Sequence, residues 1–166
     1  MIIADTSILA TFARIRRLDL LFAVAEASIF YLPTAVQREL RMGLQKGLHF
    51  LQPIIDGLTA ATQFHAVALT AEEVLLLQTL PRALNLGEKE GIAICLKRTG
   101  TKLLTNDKRA HNFCKANHIP ALDLKLVLRQ LWKARHCTKD EVMSLMNEIE
   151  RSEPGMIIKG KDEILR

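Results

Sequence analysis

The amino-acid sequence predicts an α/β fold, a three-layer αβα sandwich on a short parallel sheet of four or five strands. Two observations lead to this prediction. Short apolar segments typical of buried strands alternate along the chain with longer segments of helical periodicity, and such alternation builds parallel sheets covered by helices. In addition, Asp5 and Asp107 each follow closely on a predicted strand. Open parallel sheets bind ligands beyond the carboxyl ends of their strands, so both acids are candidate site residues.

The amino-terminal segment predicts one strand and two helices. Met1–Ala4 is an apolar run that ends at Asp5, and Ser7–Ile15 then has helical periodicity. Leu18–Ala27 is apolar on nearly every turn, which predicts a helix that is buried or that contacts a partner. We therefore expect some apolar surface of these two helices to be covered by a second copy of the chain or by another protein.

The second predicted strand is Ile29–Leu32, and it is followed by the helix that carries Glu39. Thr34–Gln37 fits a capping box, in which the Thr and Gln side chains satisfy free amides at the helix start. The segment Gly43–Gly57 has a mixed helical pattern, and Phe64–Leu69 is the next candidate strand.

The central part of the chain predicts two helices and a strand. Thr70–Glu73 is a second capping box, and it opens the apolar helix Val74–Leu80. An apolar helix that starts near Leu86 follows, then a basic turn at Lys97–Gly100 and the short strand Lys102–Thr105.

The carboxyl-terminal part is predicted to contain three more helices. Asp107 opens a helix that ends near Asn117, and the short strand Ile119–Asp123 precedes the helix Leu124–Ala134. A third capping box at Thr138–Glu141 starts a helix that ends near Glu150. The tail Met156–Arg166 fits either an edge strand or a segment docked on a neighbour.

Composition sets further limits on the protein. The chain has 166 residues, of which 49% are apolar, so we expect one domain, residues 1–166, with 138–166 as a carboxyl-terminal helical extension and tail. A net charge of +5 favours an acidic partner such as nucleic acid. The three cysteines lack C-x-x-C spacing and the apolar start has no signal-peptide charge order, so we expect a cytoplasmic protein with no membrane association.

Four acidic motifs resemble those of a known family. They are Asp5-Thr6-Ser7, LPTAVQREL with Glu39, GEKEG with Glu88 and Glu90, and LLTND with Asp107. Together and in this order they resemble the motifs of the PIN domain, the nuclease fold of VapC-type toxins, over roughly Met1–Lys133. The chain departs from many PIN toxins at the third motif, where it offers Glu88 and Glu90 in place of an aspartate.

The resemblance implies a metal-dependent endoribonuclease that acts as the toxin of a toxin–antitoxin pair, with an antitoxin protein as a partner. The apolar surface of the helices Ser7–Ile15 and Leu18–Ala27 favours a homodimer. Its catalytic residues would be Asp5, Glu39, Glu90 and Asp107. Asp5, Glu90 and Asp107 would hold a first ion, and Glu39 with Glu88 would help to hold a second ion or orient the water. Thr6, Ser7, Thr105 and Asn106 would support these acids, and Lys89, Lys108 and Arg109 would bind RNA.

The residues themselves limit the choice of metal. Four converging carboxylates repel one another strongly unless a cation compensates them. Hard oxygen ligands without His or Cys select Mg²⁺ or Mn²⁺ rather than zinc. Glu90 is the preferred ligand of the two glutamates because of its spacing to the apolar helix face.

Two other functions fit parts of the sequence. A PIN-fold module that binds RNA or a protein without cleaving is the main alternative, although the intact acids argue against it. A phosphohydrolase with an aspartate nucleophile fits less well, because Ser7 stands where that chemistry usually has a second aspartate.

Overall fold

The structure, a computed structural model, describes all 166 residues and contains one five-stranded sheet in the order β3-β2-β1-β4-β5. The strands are β1 (Ile2–Ala4), β2 (Phe30–Pro33), β3 (Phe64–Val67), β4 (Lys102–Leu104) and β5 (Ala121–Leu122). All four strand pairings are parallel, which confirms the predicted sheet. The chain runs outwards from β1 through β2 to β3 and then returns to β4 on the other side of β1.

Ten α-helices surround the sheet. They are α1 (Thr6–Arg14), α2 (Leu18–Ala25), α3 (Thr34–Gln45), α4 (Gln52–Thr59), α5 (Ala71–Leu76), α6 (Leu86–Lys97), α7 (Lys108–Ala116), α8 (Leu124–Lys133), α9 (Lys139–Ser152) and α10 (Lys161–Ile164). A 3-10 turn at His49–Leu51 precedes α4.

Alternate residues of the central strands face two separate apolar cores. Ile2 and Ala4 belong to the larger core, which also contains buried residues of α1, α2, α3, α4, α8 and α9. Ile3 and Leu103 belong to the smaller core on the other face, with residues of α6 and α7. This alternation follows from the two-residue period of a strand. The predicted three-layer αβα sandwich is therefore confirmed.

Two of the three predicted capping boxes are confirmed and one is wrong. Thr70 with Glu73 and Thr138 with Glu141 form reciprocal side-chain-to-amide hydrogen bonds at the starts of α5 and α9. Thr34 makes no such bond, because α3 begins at Thr34 itself, one residue earlier than predicted, and Pro33 is therefore its N-cap. Glu90 instead supplies the missing acceptor from α6, through the hydrogen bond from the Ala35 amide at 2.7 Å.

The apolar surface expected on α1 and α2 is partly covered within the domain itself, while Leu18, Phe22 and Val24 of α2 stay half-buried. The exposed large apolar side chains lie elsewhere, for example on α3 and α5. The apolar sides of α1 and α2 pack against α8 and α9. The α9 residues Val142, Leu145, Met146 and Ile149 are buried in the same core. The homodimer expected from this surface stays a prediction.

The tail folds back on the domain. Ile158 is buried, its amide donates to the Glu150 carboxylate at 2.8 Å, and the Lys161 ammonium contacts the same carboxylate at 2.6 Å. The Trp132 indole donates to the Ile164 carbonyl at 2.7 Å, which fixes α10 to α8. The tail therefore does not form an edge strand but packs against α8 and α9 of the same chain. None of the helices has the length and apolar character that crossing a bilayer requires.

Candidate acidic site

The candidate site lies where the strand order of the sheet reverses. β1 and β4 are adjacent, with Ala4 opposite Leu104, and successive strands lead away from them in opposite directions. The Asp5 amide still pairs with the Leu104 carbonyl at 3.0 Å, so Asp5 stands at the very end of β1. In open α/β sheets this switch point, at the carboxyl edge, is the usual position of a ligand.

The Asp5 carboxylate is buried, with 4% of the residue exposed. One oxygen accepts the Ile8 amide at 3.1 Å, which makes Asp5 the N-cap of α1, and the other accepts the Thr105 hydroxyl. Burial raises the pKa of Asp5 to about 6, and the hydrogen bonds from Thr105, Ser7 and Ile8 only partly offset this effect. The negative charge of Asp107 raises it further. A cation beside Asp5 would relieve both unfavourable contributions.

Two hydroxyls connect Asp5 to the loop after β4. Ser7 Oγ donates to Asp5 at 2.7 Å and accepts the Asn106 amide at 3.0 Å. Thr105 Oγ1 donates to Asp5 and accepts the Asp107 amide at 3.1 Å. Each hydroxyl therefore uses both its donor and its acceptor, so the loops after β1 and β4 are held together around one carboxylate.

Glu39 approaches the same place from α3. Its carboxylate accepts the Thr6 hydroxyl at 2.5 Å, and Thr6 is the first residue of α1. Gly87 lies on the other side, since a Cβ added there would come within 3.3 Å of Glu39 Oε1. The absence of a side chain at Gly87 thus leaves room for Glu39 at the site.

Glu88 faces Asp5 from the first turn of α6. It forms a capping box with Asn85, whose backbone and side-chain nitrogens donate to the Glu88 carboxylate at 2.9 and 2.8 Å. Burial raises the pKa of Glu88, and the charges of Asp107 and Asp5 add to this increase. Asn85 was missed in the sequence, although the spacing of Asn85 and Glu88 is itself a capping-box signal.

Glu90 points elsewhere. Its carboxylate accepts the Ala35 amide at the start of α3, and the residue is 8% exposed. Glu90 does not line the acidic cleft, whereas Asp5, Glu39 and Glu88 do. Residues two apart on a helix point in different directions, so one of the two glutamates faces the cleft and the other supports α3.

Asp107 is the N-cap of α7. It accepts the Arg109 and Ala110 amides at 2.8 and 3.0 Å, and the Arg109 guanidinium lies 3.4 Å from the carboxylate. Burial alone would raise the pKa of Asp107, but these two amides and the Arg109 charge lower it overall. Asp107 is therefore the more readily ionised of the two strand-end aspartates.

The predicted basic residues lie around this edge in different ways. Arg109 is exposed and paired with Asp107, Lys108 is exposed and lines a neighbouring cleft, and Lys89 is half-buried on α6. Asn106 lines the same neighbouring cleft as Lys108. Of the four predicted supporting residues, Thr6, Ser7 and Thr105 contact an acid through their side chains, and Asn106 does so through Ser7.

The donor set of the cleft fits a small hard cation. The cleft between Asp5, Glu39 and Glu88 has a volume of about 20 Å³, which is room for a water-sized group. Its charged atoms are carboxylate oxygens, the ligands that Mg²⁺ and Mn²⁺ prefer. No three His, Cys, Asp or Glu side chains lie close enough together in this structure to share one ion.

Comparison with known proteins supplies one match. The sequence model of the PIN domain family matches residues 1–161, which is nearly the whole chain and includes every acid described above. No curated protein sequence matches the chain.

Proposed function

The chain belongs to the PIN domain family, and from this premise we propose that it is a Mg²⁺- or Mn²⁺-dependent endoribonuclease. The observation that carries the proposal is the buried Asp5 carboxylate at the switch point of the sheet. Its pKa of about 6 reflects burial and the neighbouring Asp107 charge. Such an arrangement keeps a carboxylate where a cation, rather than a proton, can neutralise it at neutral pH.

We assign the metal-binding role to Asp5, Asp107 and one glutamate, for which the structure supports Glu88. Glu88 lines the cleft with Asp5, where it also accepts hydrogen bonds from Asn85, and the charges of both aspartates raise its pKa. Glu90 lies outside the cleft and accepts the Ala35 amide at the start of α3. An ion shared by these acids would have to draw them closer together. When bound, it would supply charge stabilisation at the scissile phosphodiester and activation of the attacking water.

The other site residues would orient these groups. Ser7 and Thr105 hold Asp5 by hydrogen bonds, and Thr6 holds Glu39 where it can accept a proton from an attacking water or orient it. Lys108 is exposed beside Asp107 and carries no carboxylate partner, so it is available to hold an RNA phosphate.

Cleavage of single-stranded RNA by the purified protein tests the proposal. We expect cleavage with Mn²⁺ that EDTA abolishes, and no cleavage by Asp5→Asn. Asp56→Asn on α4 is the control, because it removes the same charge from an exposed position outside the acidic cleft. RNA binding should remain in Asp5→Asn, since removing negative charge does not weaken the attraction of a phosphate.

RNA binding by the wild-type protein without cleavage in either metal would overturn the nuclease proposal and favour the non-catalytic binding module. The toxin role is a further part of the proposal. A protein encoded by an adjacent small reading frame should bind this chain and inhibit the cleavage if the two form a toxin–antitoxin pair.

A further inference from the structure

A groove leads away from the acidic site along the amino-terminal ends of α7 and α8. Its first part is a cleft of about 430 Å³ that begins at Asn106 and Asp107 and is closed on one side by the tail residues Met156–Lys159. A second cleft of about 450 Å³ continues it towards Lys115 and Ile119. His111, Asp123 and Lys125 line both clefts, so the two clefts are adjacent, and His111 Nδ1 lies 3.6 Å from Asp123 Oδ2 where they meet. We refer to the two adjacent clefts together as the groove.

The charge of the groove is positive. Four exposed lysines line it, and none of them is part of an ion pair: Lys108, Lys115, Lys125 and Lys159. The two aspartates that line it are already engaged. Asp107 caps α7 and contacts Arg109, and Asp123 caps α8 through the Leu126 amide at 2.9 Å. The lysines of the groove therefore outnumber its carboxylates, which gives it a net positive charge next to the proposed cleavage site.

The first cleft also has an apolar wall. Ile158 is buried and anchors the tail, while the adjacent Ile157 is 72% exposed and lines the cleft together with Met156. Asn112 of α7 also lines this cleft and offers an amide side chain. The apolar surface can contact the face of a base, the amide can form hydrogen bonds with the base edge, and the lysines at the rim can bind phosphates. The volume lies within the range of ligand pockets, about 300–1,000 Å³.

We propose that this groove, lined by Lys108, Lys115, Lys125 and Lys159, holds the single-stranded RNA that flanks the scissile phosphate, with one base against Ile157. The proposal rests on the proposed nuclease function, because it takes the acidic site as the place of cleavage. Single-stranded RNA is favoured over a duplex because its bases are free to enter a cleft of this size.

The groove can be tested by RNA binding in EDTA, where cleavage cannot interfere. The probe is a fluorescein-labelled single strand of about ten nucleotides, within the site sizes of single-strand binders. The double variant Lys125→Ala, Lys159→Ala should bind severalfold more weakly. The slope of log K against log salt should become shallower by about 1.4, at about 0.7 per lost phosphate contact. The control is Lys46→Ala, Lys102→Ala, which removes two exposed lysines at the opposite edge of the sheet.

A second variant separates the apolar wall from the lysines. Ile157→Ser should weaken binding without changing the salt slope, because a base contact releases no counterions. Leu48→Ser is its control, since Leu48 is also exposed but follows α3 at the opposite edge. Neither exposed position contributes to a core, so both variants should keep the wild-type melting temperature.

The results distinguish the groove from the nuclease function. If wild-type protein cleaves RNA but the groove variants bind like their controls, the groove proposal is wrong and the nuclease function stands. An acidic protein segment would then be the remaining candidate ligand of the groove. If the wild-type protein does not cleave and the groove variants still lose binding, the groove is supported as the RNA site of a binding module.

Discussion

At the scale of single residues, Asp5 has two opposing effects on the stability of the fold. As the N-cap of α1 it stabilises the fold by a hydrogen bond from Ile8, and as a buried carboxylate it destabilises the fold when it is ionised. The second effect is the larger one, because burial is the dominant cause of the raised pKa. Asp5 is thus a residue whose ionised form has a structural cost that a bound cation would offset.

This cost predicts a specific pH dependence of stability in EDTA. The pKa of Asp5 rises from 3.8 to about 6 on folding. Between these two pH values the folded protein therefore binds more protons than the unfolded protein. The contribution of Asp5 to stability is therefore fully present below pH 3.8 and is lost as the pH rises through 6. At 1.36 kcal/mol per pKa unit, the loss is about 3 kcal/mol.

The variant Asp5→Asn should not show this loss, because Asn is a neutral residue that also caps helices well. The difference in the free energy of unfolding between Asp5→Asn and wild type should therefore shift in favour of the variant between pH 4 and pH 8. Urea unfolding at both pH values measures it. Parallel pH profiles for the two proteins would show that Asp5 is not the buried acid described here.

Neutralising Glu88 and neutralising Glu90 should have different effects on metal binding. Mg²⁺ or Mn²⁺ that binds only the folded protein should stabilise it by about 2.7 kcal/mol at a metal concentration of 100 times Kd. The melting temperature should rise accordingly. Glu88→Gln should reduce this metal-induced shift strongly. Glu90→Gln should preserve it, because a Gln oxygen can still accept the Ala35 amide. The reverse result would assign the metal to Glu90, the glutamate that the sequence favours.

The sequence predicts which acids lie at this edge of the sheet but not which groups each of them contacts. Asp5, Glu39, Glu88 and Asp107 come to one edge because strand ends and helix starts meet there, which follows from the alternating pattern. The orientation of Glu90 depends on the unsatisfied amide of Ala35 on another helix. Such a long-range hydrogen bond has no local signal in the sequence.

At the scale of elements, α6 is positioned by a close contact with the sheet. A Cβ added at Gly91 would lie 2.9 Å from Leu103 Cδ1 on β4 and 3.4 Å from Ile3 Cγ2 on β1. The glycine therefore allows α6 to approach the two central strands closely. This approach brings Glu88, one turn earlier on the same helix, to the carboxyl edge of the sheet.

Gly91→Ala should accordingly be destabilising, although alanine is the better helix former by about 1 kcal/mol. Overpacking a core costs about 1–3 kcal/mol, and this cost should exceed the gain in helix propensity. The same substitution in a Leu103→Ala background should cost less, since the opposing methyl group is gone. Thermal unfolding of the four proteins forms a double-mutant cycle. Additive effects would mean that the two residues do not compete for space.

Elements with local signals could be predicted, and elements fixed by tertiary contacts could not. The capping boxes at Thr70 and Thr138 need only residues three apart, and both are present. The box at Thr34 fits the same pattern but fails, because Pro33 occupies the cap position and Glu90 provides the acceptor. The predicted strand Ile119–Asp123 shortens to Ala121–Leu122, since β5 pairs only with the short β4.

At the scale of the whole molecule, the carboxyl-terminal helices cover the apolar sides of α1 and α2. Thr11 of α1 donates to Glu153 at 3.0 Å, and Arg14 donates to the Ser152 carbonyl at 3.2 Å, so the end of α9 is attached to α1. The sequence predicts these apolar sides but not what covers them. A second copy, a partner protein and a distant helix of the same chain bury apolar surface equally well.

Detaching α9 should therefore expose the surface that the sequence assigned to a dimer. Met146 is fully buried between α9 and its neighbours, and Met146→Asp would place a carboxylate in that core at a cost of several kcal/mol. We expect a lower melting temperature, binding of an apolar dye and self-association that increases with concentration, measured by sedimentation. Ser144→Asp is the control, because it adds the same charge to the exposed side of α9 and should behave as wild type. A Met146→Asp protein that melts like wild type would show that α9 does not contribute to the core.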